Sequence, residues 1–162
     1  MENSLEAKIG EKLTRMSLTL SAAESCTGGL VGSRLTDVAG SSEYFLGGII
    51  AYSNEAKVKL LAVQRETLAA YGAVSEQTAR EMAEGVRRCF NADIGLSITG
   101  IAGPGGATKD KPVGLMWLAL AAKDGTRAIS IRLAGDRLQN KAAAAEQLLS
   151  LLEEYITSLS IK

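Results

Sequence analysis

Runs of strand length alternate along this chain with segments whose apolar residues recur at helical spacing, and that alternation constrains the fold more than any other feature. Leu5, Ile9, Leu13 and Met16 predict an amphipathic helix over 4–15. Leu18 to Ala22 predicts a short strand, which breaks at Glu24-Ser-Cys-Thr-Gly-Gly29 before Leu30, Val31, Leu35 and Val38 resume the helical period. A strand follows over Phe45 to Ala51, and Asn54 is expected to cap a short helix through Leu61. Arg65 to Tyr71 predicts another short helix closed by Gly72, and Ser75 caps a long one with Ala79, Met82, Ala83, Val86 and Phe90 on its inner face. Asp93 to Thr99 predicts a buried strand that runs into the glycine-rich stretch Gly100 to Gly106. Val113 to Ala122 and Arg127 to Leu133 flank the turn Lys123-Asp-Gly-Thr126, and Asp136 to Leu159 predicts a final helix.

Five strands and about five helices in this order imply an α/β domain with a mixed sheet between helices, because the hairpin demands at least one antiparallel pair. No repeat, low-complexity tract or linker divides the sequence, so residues 1–162 are expected to form a single domain. A chain of this length removes roughly two-thirds of its unfolded surface from water, enough for a core without disulfides or metal.

Composition narrows the chemistry. The chain has no histidine, which removes Ser-His-Asp and Cys-His catalysis and every zinc site that needs imidazole. Any general base is then a lysine, carboxylate or tyrosine. Cys26 and Cys89 are too few and too widely spaced for a zinc cluster or a CxxC pair, so no metal and no other cofactor is expected. With 18 basic against 18 acidic residues, no broad nucleic-acid surface is expected. The opening segment Met1 to Met16 is charged throughout, and the longest apolar run, Leu115 to Ala122, is far short of a membrane span. A cytoplasmic protein without a membrane partner is the expectation.

Polar and glycine-rich residues gather after three predicted strands, at Glu24 to Gly29, Tyr52 to Lys57 and Thr99 to Gly106, which is the usual ligand-binding edge of an α/β sheet. Amides at Gly28 and Gly29 would face an anion at a helix start. No phosphate-binding P-loop, dinucleotide fingerprint or nucleophile-elbow motif is present. Ser25 is readable either as a helix-capping serine or as a nucleophile. Cys26 reads as a buried core thiol. Lys57 falls in the first turn of a helix, where the dipole does nothing for a cation; it is either a solvated lysine or, if desolvated, a general base. Tyr52 is either a half-buried packing residue or a proton-positioning group. Thr99, Gly100, Gly103 and Gly105 offer hydroxyl and amide donors to a phosphate or ribose, with Lys109, Lys111, Arg132 and Arg137 as counter-charges, of which Arg137 is preferred.

Taken together, Ala23-Glu-Ser-Cys-Thr-Gly-Gly29, Gly47-Gly-Ile-Ile-Ala-Tyr-Ser-Asn-Glu-Ala-Lys57, Gly72-Ala-Val-Ser75, Thr99-Gly-Ile-Ala-Gly-Pro104, Lys111-Pro-Val-Gly114 and Gly135-Asp-Arg137 resemble the CinA C-terminal family over essentially the whole chain. The resemblance implies a three-layer α/β/α fold with a mostly parallel sheet, and a metal-free amidohydrolase that converts nicotinamide mononucleotide to nicotinic acid mononucleotide and ammonia. It looks like a stand-alone amidase form, with nothing corresponding to the additional amino-terminal domain of larger members. It further implies Ser25 as nucleophile, Lys57 as base and Tyr52 as helper. Thr27, Thr99 and Arg137 would hold the ribose phosphate, and Gly28, Gly29, Gly100, Gly103 and Gly105 would line the substrate site. The chain departs from the family pattern at Gly105-Gly-Ala107 and at Lys141. A pyridine mononucleotide is the expected small-molecule partner, and a homo-oligomer the expected assembly. The alternative is a non-catalytic nucleotide-binding or regulatory module of the same fold.

Overall fold

A computed structural model describes residues 4–160; Met1 to Asn3, where the charged opening segment begins, lie outside it. The chain runs α1 (Leu5–Met16), β1 (Leu20–Glu24), α2 (Leu30–Thr36), a 3-10 turn (Ser41–Glu43), β2 (Phe45–Ile50), α3 (Asn54–Leu61), α4 (Arg65–Tyr71), α5 (Glu76–Phe90), β3 (Ile94–Gly100), β4 (Leu115–Ala122), β5 (Gly125–Arg132) and α6 (Arg137–Leu159). The five strands lie in the order β2-β1-β3-β4-β5. β1 pairs in parallel with β2 and β3, while β4 runs antiparallel to both β3 and β5. Four strands therefore share one direction and β4 alone opposes them. α5 lies across one face, with α3 and α4 beside it, and α1, α2 and α6 cover the other.

Every residue of β1 is buried because helices cover both faces of this central parallel strand. The larger core fills the α6 side with Ile9, Leu13, Leu35, Leu96, Ile98, Leu118, Leu148 and Leu152. A smaller one sits under α3 and α5, built from Ala23, Ala51, Leu61, Met82 and Val86, and a third, of Ala79, Ala83, Ala119 and Ala121, lies between α5 and β4.

Several boundaries differ from the sequence reading, each for a local reason. β1 starts at Leu20 rather than Leu18, because Ser17 closes α1 in a left-handed conformation and the Leu18 amide bonds back to the Leu13 carbonyl at 3.0 Å. Glu24 ends the strand instead of opening the loop, because it still pairs with Ile50 of β2 and Ile98 of β3. Ser53, not Asn54, caps α3: its hydroxyl accepts the Ala56 amide at 3.0 Å and Asn54 becomes the first helical residue. The hairpin is tighter than expected, since Gly125 already pairs with Ala122 and leaves Lys123-Asp124 as the turn. Asp136 caps α6 in a reciprocal capping box with Gln139. Among the described residues, no helix is long and apolar enough to cross a membrane.

Candidate active site

The carboxyl ends of β1, β2 and β3 bring the three polar corners together around a cavity of about 330 Å³. That volume lies in the range of small-molecule sites, roughly 300–1,000 Å³. Ser25 follows β1 directly. Its amide donates to the Ile98 carbonyl at 3.0 Å, and the preceding Glu24 carbonyl accepts the Ala51 amide at 2.8 Å. The serine is thus held between the two neighbouring strands, with its hydroxyl on the cavity.

Lys57 projects from α3 into the same place and is only 1% exposed. Its Nζ lies 2.8 Å from Ser25 Oγ, 2.8 Å from the Ala51 carbonyl oxygen and 3.4 Å from that of Tyr52. Among the described residues it forms no ion pair. Burial lowers its pKa below the ordinary lysine value, against a smaller opposing contribution from Cys26. A neutral lysine amine has two N–H bonds and one lone pair. A neutral amine that directs both donors at the two carbonyls would turn its lone pair to the serine hydroxyl. Serine and base within hydrogen-bond reach, the base oriented by further groups, is the geometry of an activated nucleophile. Cys26 is buried, its thiol pushed up to about 11 by burial and lying 3.5 Å from the Met116 sulfur, which matches the core reading.

The other residues singled out in the sequence divide into two groups. Tyr52, Thr99, Gly100, Gly103, Gly105 and Arg137 line the cavity with Ser25 and Lys57. The Tyr52 side chain is 61% exposed and its hydroxyl meets Arg137 Nη2 at 3.0 Å, so it bonds to the arginine rather than to the serine or lysine. Arg137 Nη1 also donates to the Gly103 carbonyl at 2.8 Å, making a strut from β2's end across to the glycine loop. Thr99 is buried with its hydroxyl donated to the Ala73 carbonyl at 2.9 Å. Gly100 is required by packing, because a Cβ there would meet Met116 Sδ at 2.1 Å.

Thr27, Gly28 and Gly29 do not line the cavity. The Gly28 amide donates to the Ser25 carbonyl at 3.2 Å, and the donors of Thr27 and Gly29 turn instead to the Glu24 carboxylate, at 2.6 and 3.0 Å. The start of α2 therefore already holds an anion, one supplied by the chain itself. Sequence reasoning passed over Glu24 as loop polarity, although a lone acid between an apolar strand and Gly-Gly was the available signal. It also missed Asn140, buried inside α6, which donates to the Ala102 carbonyl at 3.0 Å and accepts the Gly135 amide at 3.0 Å. A polar residue on the inner face of an otherwise Ala/Leu helix was its signal.

The family model described as the CinA C-terminal domain matches residues 2–156. The chain belongs to the CinA C-terminal domain family. The CinA-like protein of Kosmotoga olearia is 56% identical over 144 residues, covering 88% of this chain and 35% of the relative. The CinA-like protein of Chlorobium limicola is 54% identical over 160 residues, covering 96% and 37%. This CinA domain thus spans little more than a third of the curated relatives it matches. Among solved structures, a CinA superfamily protein from Klebsiella pneumoniae superposes with a TM-score of 0.92 at 32% identity, covering 95% of this chain and 96% of that one. The competence/damage inducible protein CihA from Agrobacterium tumefaciens gives 0.89 at 41% identity, covering 91% of each. The α/β architecture with its mixed sheet is the CinA fold.

Proposed function

We propose that this CinA domain is an amidohydrolase that uses Ser25 as nucleophile and Lys57 as base, with nicotinamide mononucleotide as substrate. The observation that carries the reading is the buried Lys57 amine 2.8 Å from Ser25 Oγ, in a cavity among the CinA motifs. Lys57 takes the Ser25 proton as Oγ bonds to the carboxamide carbon. The tetrahedral intermediate then collapses as Lys57 returns that proton to the leaving nitrogen, which departs as ammonia. Water, deprotonated by the same amine, attacks the resulting ester. The carbon–Oγ bond breaks, Ser25 regains its proton and nicotinic acid mononucleotide leaves. The Cys26 amide, directly after the nucleophile in the chain, is the oxyanion donor we favour. The lining supports a place for the ribose phosphate beside Arg137 and the Gly103 to Gly106 segment.

The test is to incubate metal-free protein with nicotinamide mononucleotide and follow ammonia and nicotinic acid mononucleotide. Stoichiometric products that vanish in Ser25→Ala are expected. Thermal stabilisation by the nucleotide with no product would instead establish a non-catalytic nucleotide-binding module.

A further inference from the structure

Glu24 is a carboxylate 3% exposed that the proposed chemistry leaves unused. Four donors converge on it. Oε2 accepts the Thr27 hydroxyl at 2.6 Å and the amides of Gly29 and Val31 at 3.0 and 3.1 Å, while Oε1 accepts the Gly32 amide at 2.8 Å. No lysine or arginine among the described residues pairs with it. Four hydrogen bonds from the turn hold it in place, and removing such an acceptor strands every donor aimed at it.

The same residue directly precedes Ser25 in the chain. Its backbone carbonyl is held by Ala51 from β2, and the next amide is held by Ile98 from β3. Its side chain reaches past Ser25 and Cys26 to bind the far side of the turn. The chain returns to α2 through Gly28 at φ 63° and Gly29 at φ 103°, a left-handed path that glycine allows but does not enforce. The carboxylate supplies the missing constraint. We propose that Glu24 is a positioning residue: it clamps the Ser25 to Gly32 turn so that Ser25 Oγ stays within reach of the Lys57 lone pair. The proposal deepens the nucleophile assignment above and rests on it.

Glu24→Gln is nearly isosteric yet places an amide –NH₂ against donors that need an acceptor. The test measures how fast Ser25 is modified by a fluorophosphonate, followed by mass spectrometry with Ser25→Ala as the blank. In that step Ser25 Oγ bonds to phosphorus, fluoride leaves, and Lys57 takes the proton. In Glu24→Gln of unchanged far-ultraviolet circular dichroism, labelling and kcat on nicotinamide mononucleotide should fall together by tenfold or more, with KM within about twofold, because ångström-scale misplacement of a reacting group is felt on about a hundredfold scale. If Glu24→Gln does not fold, Thr27→Val carries the test; it removes one donor, keeps the charge, and should slow labelling by about threefold or more. Unchanged labelling in a folded Glu24→Gln, or in Thr27→Val where that variant is needed, overturns the proposal. A wild-type protein labelled at Ser25 but inactive on the nucleotide would overturn the substrate assignment and leave the positioning role standing. Absence of wild-type labelling overturns both.

Discussion

A lysine kept from water with no carboxylate beside it is expensive to hold charged, and that single cost organises the residue scale of this protein. Its first consequence is catalytic. If Lys57 acts as the base, kcat/KM should rise with pH along one limb whose midpoint lies below the ordinary lysine value, since burial depresses the pKa. Lys57→Met should lose at least about a hundredfold in turnover, at the lower end of general-base contributions, measured as ammonia release. The second consequence is for stability. Between the depressed folded pKa and the ordinary value of 10.5, the unfolded chain holds a proton that the folded one lacks, so this lysine's destabilising contribution fades as pH rises through that window. The Tm of wild type relative to Lys57→Met should therefore increase toward high pH. A Tm difference constant with pH would contradict the burial argument.

At the scale of elements, the site depends on how closely α3 approaches α5. Gly85 lies buried in the middle of α5, and a Cβ there would sit 1.9 Å from the Leu61 carbonyl oxygen at the end of α3. Alanine is the better helix former by roughly 1 kcal/mol, yet the backbone carbonyl cannot give way as a flexible side chain would. Gly85→Ala should lower stability by about 1–3 kcal/mol in denaturant titration, and should also reduce turnover because Lys57 rides on the displaced helix. A variant as stable as wild type would show that the two helices part freely. On the opposite layer, Asn140 ties α6 to the Ala102 carbonyl and the Gly135 amide, so Asn140→Ala leaves both groups unpaired in a buried setting. A loss of about 1–3 kcal/mol is expected, with KM affected more than kcat, because Arg137 and the glycine loop share that end of the helix.

For the whole molecule, the sheet places Lys57 and Arg137, the proposed base and the proposed phosphate-holding residue, on opposite layers. Ser25 follows the buried strand β1, Lys57 comes from the α5 side, and Arg137 from the α6 side reaches over the cavity to Tyr52 and the Gly103 carbonyl. Closing one site from three corners makes ligand binding a whole-fold event. Nicotinamide mononucleotide should raise the Tm of Ser25→Ala in a concentration-dependent way, with stabilisation near 2.7 kcal/mol at a hundred times Kd. Arg137→Ala should weaken that shift without abolishing the fold, since this arginine bridges the mouth rather than the core. A nucleotide that leaves Ser25→Ala unshifted at millimolar concentration would count against the proposed substrate.

Sequence alone determined the element order, the mixed sheet, the three polar corners and the family, because periodicity and turn residues are local signals and the six motifs stand in fixed order. It also marked Ser25 as a helix cap or a nucleophile and Lys57 as a solvated lysine or a base, and the CinA resemblance implied the second role for each. Tertiary structure decided whether those residues meet: burial of Lys57, the 2.8 Å contact and the carbonyls that orient its amine depend on β1, β2 and α3 assembling together. It also kept Thr27, Gly28 and Gly29 out of the cavity lining, because Thr27 and Gly29 donate to the Glu24 carboxylate and the Gly28 amide to the Ser25 carbonyl. Glycine-rich sequence announces amide donors; only the folded chain shows which acceptor has already taken them.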